Sequence, residues 1–253
     1  MNLLIDSGNT ALKWALVQDG QLLPASRLIV LATNLSEQLQ TIANSQESNE
    51  VKAIYISNVA GVNRQEQLTR WCRDTYQKDP IYAVVTKEFN GLVNAYNPFE
   101  KLGVDRWLAL IAATHCFKEP ICVVDIGTAV TIDAIDEKKH YIGGVILPGL
   151  GLMRKSLQQN TDAIGLTRDQ NVVNIFATNT EQGVILGTNL AIAAAVENMT
   201  EKLSRKTNQP ITCVLTGGDA LHVKPYISRS VDYMPDLVLK GLCLWDKGND
   251  LDR

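Results

Sequence analysis

The sequence predicts an α/β protein made of two similarly built lobes, each opened by a strand–turn–strand unit. Three observations carry this. Short apolar runs alternate along the chain with helix-start signals. Two of these runs end in nearly the same polar turn: Leu3-Leu4-Ile5 leads into Asp6-Ser7-Gly8-Asn9-Thr10, and Ile121-Cys122-Val123-Val124 leads into Asp125-Ile126-Gly127-Thr128-Ala129. The Asp and Gly of the two turns are separated by the same 119 positions (6 to 125, 8 to 127), and self-similarity at one offset marks a repeated unit.

The remaining elements follow in chain order. Ala11 to Val17 continues as the second strand of the first hairpin, and Asp19-Gly20 supplies a turn. Asn34 with Glu37 has capping-box spacing for a helix from about Leu35. The Asn/Ser/Gln/Glu-rich stretch from Asn44 to Glu50 reads as a surface loop. Ala53 to Ser57 reads as a buried strand, Asn63 with Glu66 as a capping signal for a helix through about Tyr76, and Ile81 to Thr86 as a further strand. A helix from about Val104 closes this half. The boundary then falls near residue 116, giving lobes of residues 1–116 and 117–253. In the second half Val130 to Ile135 is a strand with a turn at Asp136-Glu137, and Ile211 to Leu215 is a strand followed by a helix. Gln182 to Lys206 is the longest helical stretch. Its residues Ile185, Asn189, Ile192, Val196, Met199 and Leu203 recur at spacings of four and three, as a core stripe or a subunit-interface stripe does.

Composition excludes several classes. The 253 residues are 45% hydrophobic and 20% charged, enough to bury a core, with a formal charge of −3 and so no basic footprint for nucleic acid. No apolar stretch reaches the ~18 residues of a membrane span. The start Met1-Asn2-Leu3-Leu4-Ile5-Asp6 lacks the basic opening of a secretory signal. Cys72, Cys116, Cys122, Cys213 and Cys243 show no C-x-x-C spacing, which suits reduced thiols in a cytoplasmic protein. His115, His140 and His222 lie too far apart for a zinc pattern. G-x-x-x-x-G-K-[ST], G-x-S-x-G and H-E-x-x-H are absent. Gly149-Leu150-Gly151 lacks the third glycine of a dinucleotide turn and follows no clear predicted strand.

The repeated turn is the informative feature. Its glycine lets the backbone bend and present N–H groups, a cradle for phosphate. The Asp6 carboxylate at the strand end suits a hydrated Mg²⁺, and Lys13 adds positive charge. Taken singly, a D-x-G turn is an ordinary hairpin turn; twice, at matching places after apolar runs, it is the pattern of the actin, Hsp70 and sugar-kinase ATPases. Asn97-Pro98 marks a turn, and Gly103-Val104-Asp105-Arg106 opens the following helix. Asp105 there suits helix-dipole complementation, or the base that a phosphotransferase needs near an acceptor hydroxyl. Gly143 to Gly149 and Thr216-Gly217-Gly218-Asp219-Ala220 are small-residue stretches that fit tight packing or the close approach of a flat adenosine.

In order and together, these motifs resemble type III pantothenate kinase, from Asp6 to Ala220. The resemblance implies two lobes of ribonuclease H-like type, with mixed sheets flanked by helices and an interlobe ATP cleft. It implies ATP-dependent phosphorylation of pantothenate, the first step of coenzyme A synthesis, by a cytoplasmic homodimer that engages neither nucleic acid nor membrane. Asp6, Ser7, Gly8, Asn9, Thr10, Ala11, Leu12, Lys13 and Thr128 would contact ATP. Asp105 would accept the proton. Tyr96, Gly103, Val104, Asp105, Arg106 and Thr180 would contact pantothenate. Asp125 would bind K⁺ or NH₄⁺, and Asp6 would hold Mg²⁺ through water. Another phosphotransferase of the same superfamily, or a non-catalytic nucleotide-responsive regulator, is the alternative.

Overall fold

The first apolar run becomes β1 (Asn2–Ser7), whose Leu3, Leu4 and Ile5 are all fully buried. A computed structural model describes residues 1–29, 35–44, 51–161, 165 and 176–250. Strand β2 (Ala11–Gln18) returns antiparallel to β1 in a register that sets Asp6 opposite Lys13. Asp19 and Gly20, both at positive φ (50° and 74°), make the tight turn into β3 (Gln21–Leu22), as an Asp-Gly pair is suited to do. Next come β4 (Ser26–Ile29), α1 (Leu35–Asn44), β5 (Ala53–Asn58), α2 (Val62–Tyr76) and β6 (Ile81–Tyr82). The sheet order is β3-β2-β1-β5-β6, with β4 also on β2; β5 is parallel to β1 and β6 to β5. One sheet face, with Leu3, Ile5, Leu12, Ile54 and Ile56, packs on Leu39 and Ile42 of α1 and Leu68 and Trp71 of α2.

The chain continues through the hairpin β7 (Glu88–Phe89) and β8 (Leu92–Asn94), a cis Asn97–Pro98 bond and α3 (Val104–Cys116). Then follow β9 (Ile121–Ile126), β10 (Ala129–Ile135), β11 (His140–Pro148), α4 (Leu150–Asn160), α5 (Thr180–Thr207), β12 (Thr212–Thr216), α6 (Ala220–Val223), β13 (Asp232–Tyr233) and α7 (Leu237–Asp250). In the order β11-β10-β9-β12-β13, the first three strands are antiparallel neighbours and the last two run parallel to β9. This is the order and direction pattern of the first sheet, so the duplication seen in two short turns extends to whole sheets. Cys122, Val124, Ile126, Val130 and Ile132 form a buried face against Ile192, Val196 and Leu203 of α5.

The chain forms two compact units, Met1–Cys116 with Asp236–Arg253, and Phe117–Pro235. The expected lobes put residues 236–253 in the second; here they group with the first. The reason is packing: α7 lies against β1, β2 and β5 and crosses α3 closely. A Cβ on Gly241 would sit 1.9 Å from the Leu108 carbonyl oxygen, so only glycine permits this crossing.

Several local expectations shift. Helix α2 starts at Val62 behind Gly61 (φ 88°), so Asn63 lies inside the helix rather than capping it. Of the strand expected over 81–86, only Ile81–Tyr82 pairs. Asn34 and residues 45–50 lie outside the described residues. Gly149 directly follows β11, where no clear strand was expected. The α5 stripe is core: Ile185, Asn189, Ile192, Val196 and Leu203 are all below 5% exposed.

Candidate active site

In the first unit the β1–β2 turn is closed by the Gly8 amide, which donates to the Ala11 carbonyl at 3.0 Å. Asp6, the last residue but one of β1, is half-buried between Lys13 on β2 and Ser57 on β5 at the same register level. Ser57 Oγ, fully buried, donates to Asp6 Oδ1 at 3.1 Å. Asn9 and Thr10 are exposed at the tip. Leu12 and Ser7 are buried, Leu12 in the core, so a ligand at the tip meets their backbone rather than their side chains.

The second unit repeats the turn one residue shorter: the Gly127 amide donates to the Ala129 carbonyl at 3.0 Å. Thr128 is exposed at its tip, and Asp125 is half-buried between Thr131 and Thr216 at its register level. Two glycines press on this turn. The Gly149 amide donates to the Thr128 carbonyl at 3.0 Å, and a Cβ there would stand 2.0 Å from the Gly127 oxygen. Gly149 therefore packs the turn rather than opening space for a ligand. Gly217, at φ +98°, lies where a Cβ would stand 2.3 Å from the Ile126 oxygen and 2.4 Å from Asp125 Oδ1. The Asp219 amide donates to the same Ile126 carbonyl at 2.9 Å, tying the Thr216–Ala220 loop to the acid turn.

The acceptor-type motif is assembled within the first unit. Gly103 starts α3, its carbonyl accepting from the Trp107 amide at 3.0 Å. Asp105 Oδ1 accepts from the Arg106 amide at 2.8 Å, and a Cβ on Gly103 would stand 2.5 Å from that same oxygen, so glycine leaves room for the carboxylate. Arg106 is 8% exposed, with its guanidinium carbon 5.8 Å from the centre of the Tyr96 ring, a cation–π distance. The Tyr96 amide donates to Asn94 Oδ1 at 3.0 Å, and Asn94 donates to the Thr86 carbonyl at 3.3 Å. Tyr96 and the Gly103–Arg106 segment are thus brought together.

Thr180 belongs to the second unit, exposed at the start of α5, where Asn179 Oδ1 accepts from the Gln182 amide at 2.9 Å. It lines an apolar groove of about 770 Å³ between α4 and α5, walled by Leu152, Met153, Leu157 and Val184 and floored by Gly183 and Gly187.

Among the described residues no three of His, Cys, Asp and Glu come together as a metal cluster. A cation at either turn would therefore rest on one carboxylate plus backbone, water or phosphate oxygens, a donor set that Mg²⁺ and other hard cations accept. No helix among the described residues is long and apolar enough to cross a membrane. Among the described residues no disulfide forms, and every cysteine but Cys116 is buried. Burial, with Asp79 adding, pushes the Cys72 thiol up to about 12. The hydrogen bond with Cys213, then burial, holds Cys122 well above its ordinary value.

Sequence reasoning missed Ser57, because the signal that identifies it is a parallel register between distant strands. It also missed Asn94, whose backbone hydrogen bonds hold the approach to Tyr96.

Comparison with known proteins adds an independent line. Residues 2–202 match the family model described as type III pantothenate kinase. A type III pantothenate kinase of Nitrosococcus oceani is 31% identical over 247 residues, covering 96% of this chain and 92% of its own. That of Hydrogenovibrio crunogenus is 33% identical over 250 residues, covering 96% and 97%. Among solved structures, a Campylobacter jejuni protein named for the Baf family of transcriptional activators superposes with a TM-score of 0.63. It is 22% identical and covers 98% of this chain and 99% of its own, a likeness of fold.

Proposed function

The chain belongs to the type III pantothenate kinase family, and from that premise we propose how its residues divide the work of phosphorylating pantothenate with ATP. The observation that carries the reading is the extent of the family match, residues 2–202, which takes in both acid turns and the Gly103–Arg106 motif.

Asp6, Ser7, Gly8, Asn9, Thr10, Ala11, Leu12 and Lys13, with Thr128 of the second turn, contact ATP. The turns offer backbone N–H groups to phosphate oxygens, and Lys13, level with Asp6 on the neighbouring strand, adds a cation near the same phosphates. Asp6 holds Mg²⁺ through water; when bound, the ion neutralises charge on the phosphates. Asp125, half-buried at the second turn, binds the monovalent cation, K⁺ or NH₄⁺.

Asp105 accepts the proton of the attacking hydroxyl. Its tie to the Arg106 amide holds the carboxylate in one orientation at the helix start, and phosphoryl transfer asks of the protein chiefly such positioning. Arg106, held under Tyr96, pairs with an anionic group of the substrate; pantothenate carries a carboxylate that a guanidinium can grip in bidentate fashion. Gly103 and Val104 shape the same contact, and Thr180 of the second unit is assigned a pantothenate contact of its own. The protein works in the cytoplasm as a homodimer. The apolar α4–α5 groove, with Leu152 and Leu157 at 46% and 38% exposure, is the surface a second copy would cover.

A coupled ADP-release assay tests this. ADP should form with pantothenate and not with hexoses or acetate. Turnover on a sugar or short acid, with none on pantothenate, would establish a different phosphotransferase.

A further inference from the structure

Each acid turn has a hydroxyl residue at the same place in the fold. In the first unit Ser57 stands beside Asp6 on the parallel neighbour strand β5. In the second unit Thr216 stands beside Asp125 on the parallel neighbour strand β12. Both hydroxyl residues are buried, at 0% and 1% exposure. For the first pair the contact is explicit: Ser57 Oγ donates to Asp6 Oδ1 at 3.1 Å. A buried hydroxyl beside a strand-end carboxylate has a physical consequence. It occupies one lone pair of one oxygen, which fixes the carboxylate plane and leaves its remaining acceptor sites pointed in a set direction. A side chain kept only for packing in a buried strand would be apolar, as Ile54 and Ile56 on the same strand are. The hydroxyl recurs in both copies of the duplicated sheet, although the sequences around it, Tyr55-Ile56-Ser57-Asn58 and Val214-Leu215-Thr216-Gly217, differ.

We propose that Ser57 is a positioning residue, holding the Asp6 carboxylate in the orientation from which it engages hydrated Mg²⁺ on the nucleotide, and that Thr216 is its counterpart for the cation side of Asp125. This rests on the reading of Asp6 as the Mg²⁺-side carboxylate and of Asp125 as the monovalent-cation carboxylate.

The test is equilibrium binding of ADP to the full chain by calorimetry, in excess Mg²⁺ and in EDTA. The ratio of the two affinities is the Mg²⁺ linkage. In Ser57→Ala the linkage falls about 10- to 100-fold, the effect of removing a partner that orients a metal-side carboxylate, while ADP affinity in EDTA stays native. Ser57→Thr, which restores a hydroxyl on a strand-favoured side chain, recovers the linkage to within about threefold. Thr216→Val keeps the native Mg²⁺ linkage and instead loses the gain in ADP affinity between Na⁺ and K⁺ buffers. Equal losses in Mg²⁺ and EDTA for Ser57→Ala would make Ser57 a structural residue and overturn the proposal. So would an unrescued Ser57→Thr, or a Mg²⁺ linkage that falls alike in Ser57→Ala and Thr216→Val. Asp6→Asn separates the two levels. If it keeps the native Mg²⁺ linkage, the assignment of Asp6 itself is wrong. If it loses the linkage and Ser57→Ala does not, only the role of Ser57 fails.

Discussion

Replacing Gly217 by alanine asks the second acid turn to accept a methyl group where it has no room. Gly217 sits at φ +98°, a conformation that costs an L-residue about 1–2 kcal/mol. Its added Cβ would stand 2.3 Å from the Ile126 oxygen, 2.5 Å from the Ile126 nitrogen and 2.4 Å from Asp125 Oδ1. The two Ile126 atoms are backbone at the end of β9 and cannot swing away, so the strand end must shift, at a cost of about 1–3 kcal/mol for overpacking. The sum is about 2–5 kcal/mol. At roughly 2–4 °C per kcal/mol for a chain of this size, melting should fall by on the order of 10 °C. The Asp125 carboxylate is the movable member of the three contacts, so it leaves its place first, and the K⁺ concentration for half-maximal turnover should rise. Differential scanning calorimetry and ADP release across a K⁺ titration read the two effects. Gly151→Ala is the control, because a Cβ there meets nothing within 4 Å. A Gly217→Ala protein with native melting and native K⁺ response would refute the close approach of this loop to Asp125.

Turnover should require K⁺ or NH₄⁺ and drop when Na⁺ or Li⁺ replaces them; equal rates in Na⁺-only and K⁺ buffers would remove the cation from Asp125. Light scattering should give a dimer, and Leu157→Glu, which puts a charge into the α4–α5 groove, should shift it toward monomer; a wild-type monomer at assay concentration contradicts the assignment. In the native protein at about pH 8, a thiol reagent should label Cys116 quickly and leave Cys72 and Cys122 untouched until unfolding. The folded value of Cys72 is raised from 9.0 to about 12, so its contribution to stability is intact below pH 9 and is lost as pH climbs toward 12, which urea midpoints across that range would show.

What the sequence makes legible is local or repeated. Asp6-Ser7-Gly8 and Asp125-Ile126-Gly127 declare themselves because turn chemistry is local and the offset is constant, and the helix starting at Val104 is set by the glycine before it. What it hides depends on contacts between distant segments. Ser57 gains its meaning only through the parallel register of β5 with β1. The terminal helix joins the first unit because Gly241 admits the Leu108 carbonyl, a fit that neither segment reveals alone. The α5 stripe is a true helical period, but period alone does not name its partner. The stripe is core, and the Asn189 amide donates to the Ile185 carbonyl of its own helix at 2.9 Å, while its buried Oδ1 accepts from none of the described residues. The strand expected over 81–86 shows the converse limit: pairing stops at Ile56 with Tyr82, with one further bond from the Ala83 amide to the Ile56 carbonyl, although β5 runs on to Asn58, so β-prone residues do not by themselves set where a ladder ends.

Asp105→Asn reports whether Asp105 takes the proton from the substrate hydroxyl. Asparagine keeps the shape and, through its amide oxygen, an acceptor for the Arg106 amide, so the comparison isolates basicity. Steady-state turnover of pantothenate should fall about 10²- to 10⁴-fold. Nucleotide affinity and melting temperature should stay near native, because the turns at Asp6 and Asp125 are untouched. Near-native kcat would contradict the assignment, and a collapse of melting temperature or ATP affinity would make Asp105 a structural residue of the α3 start.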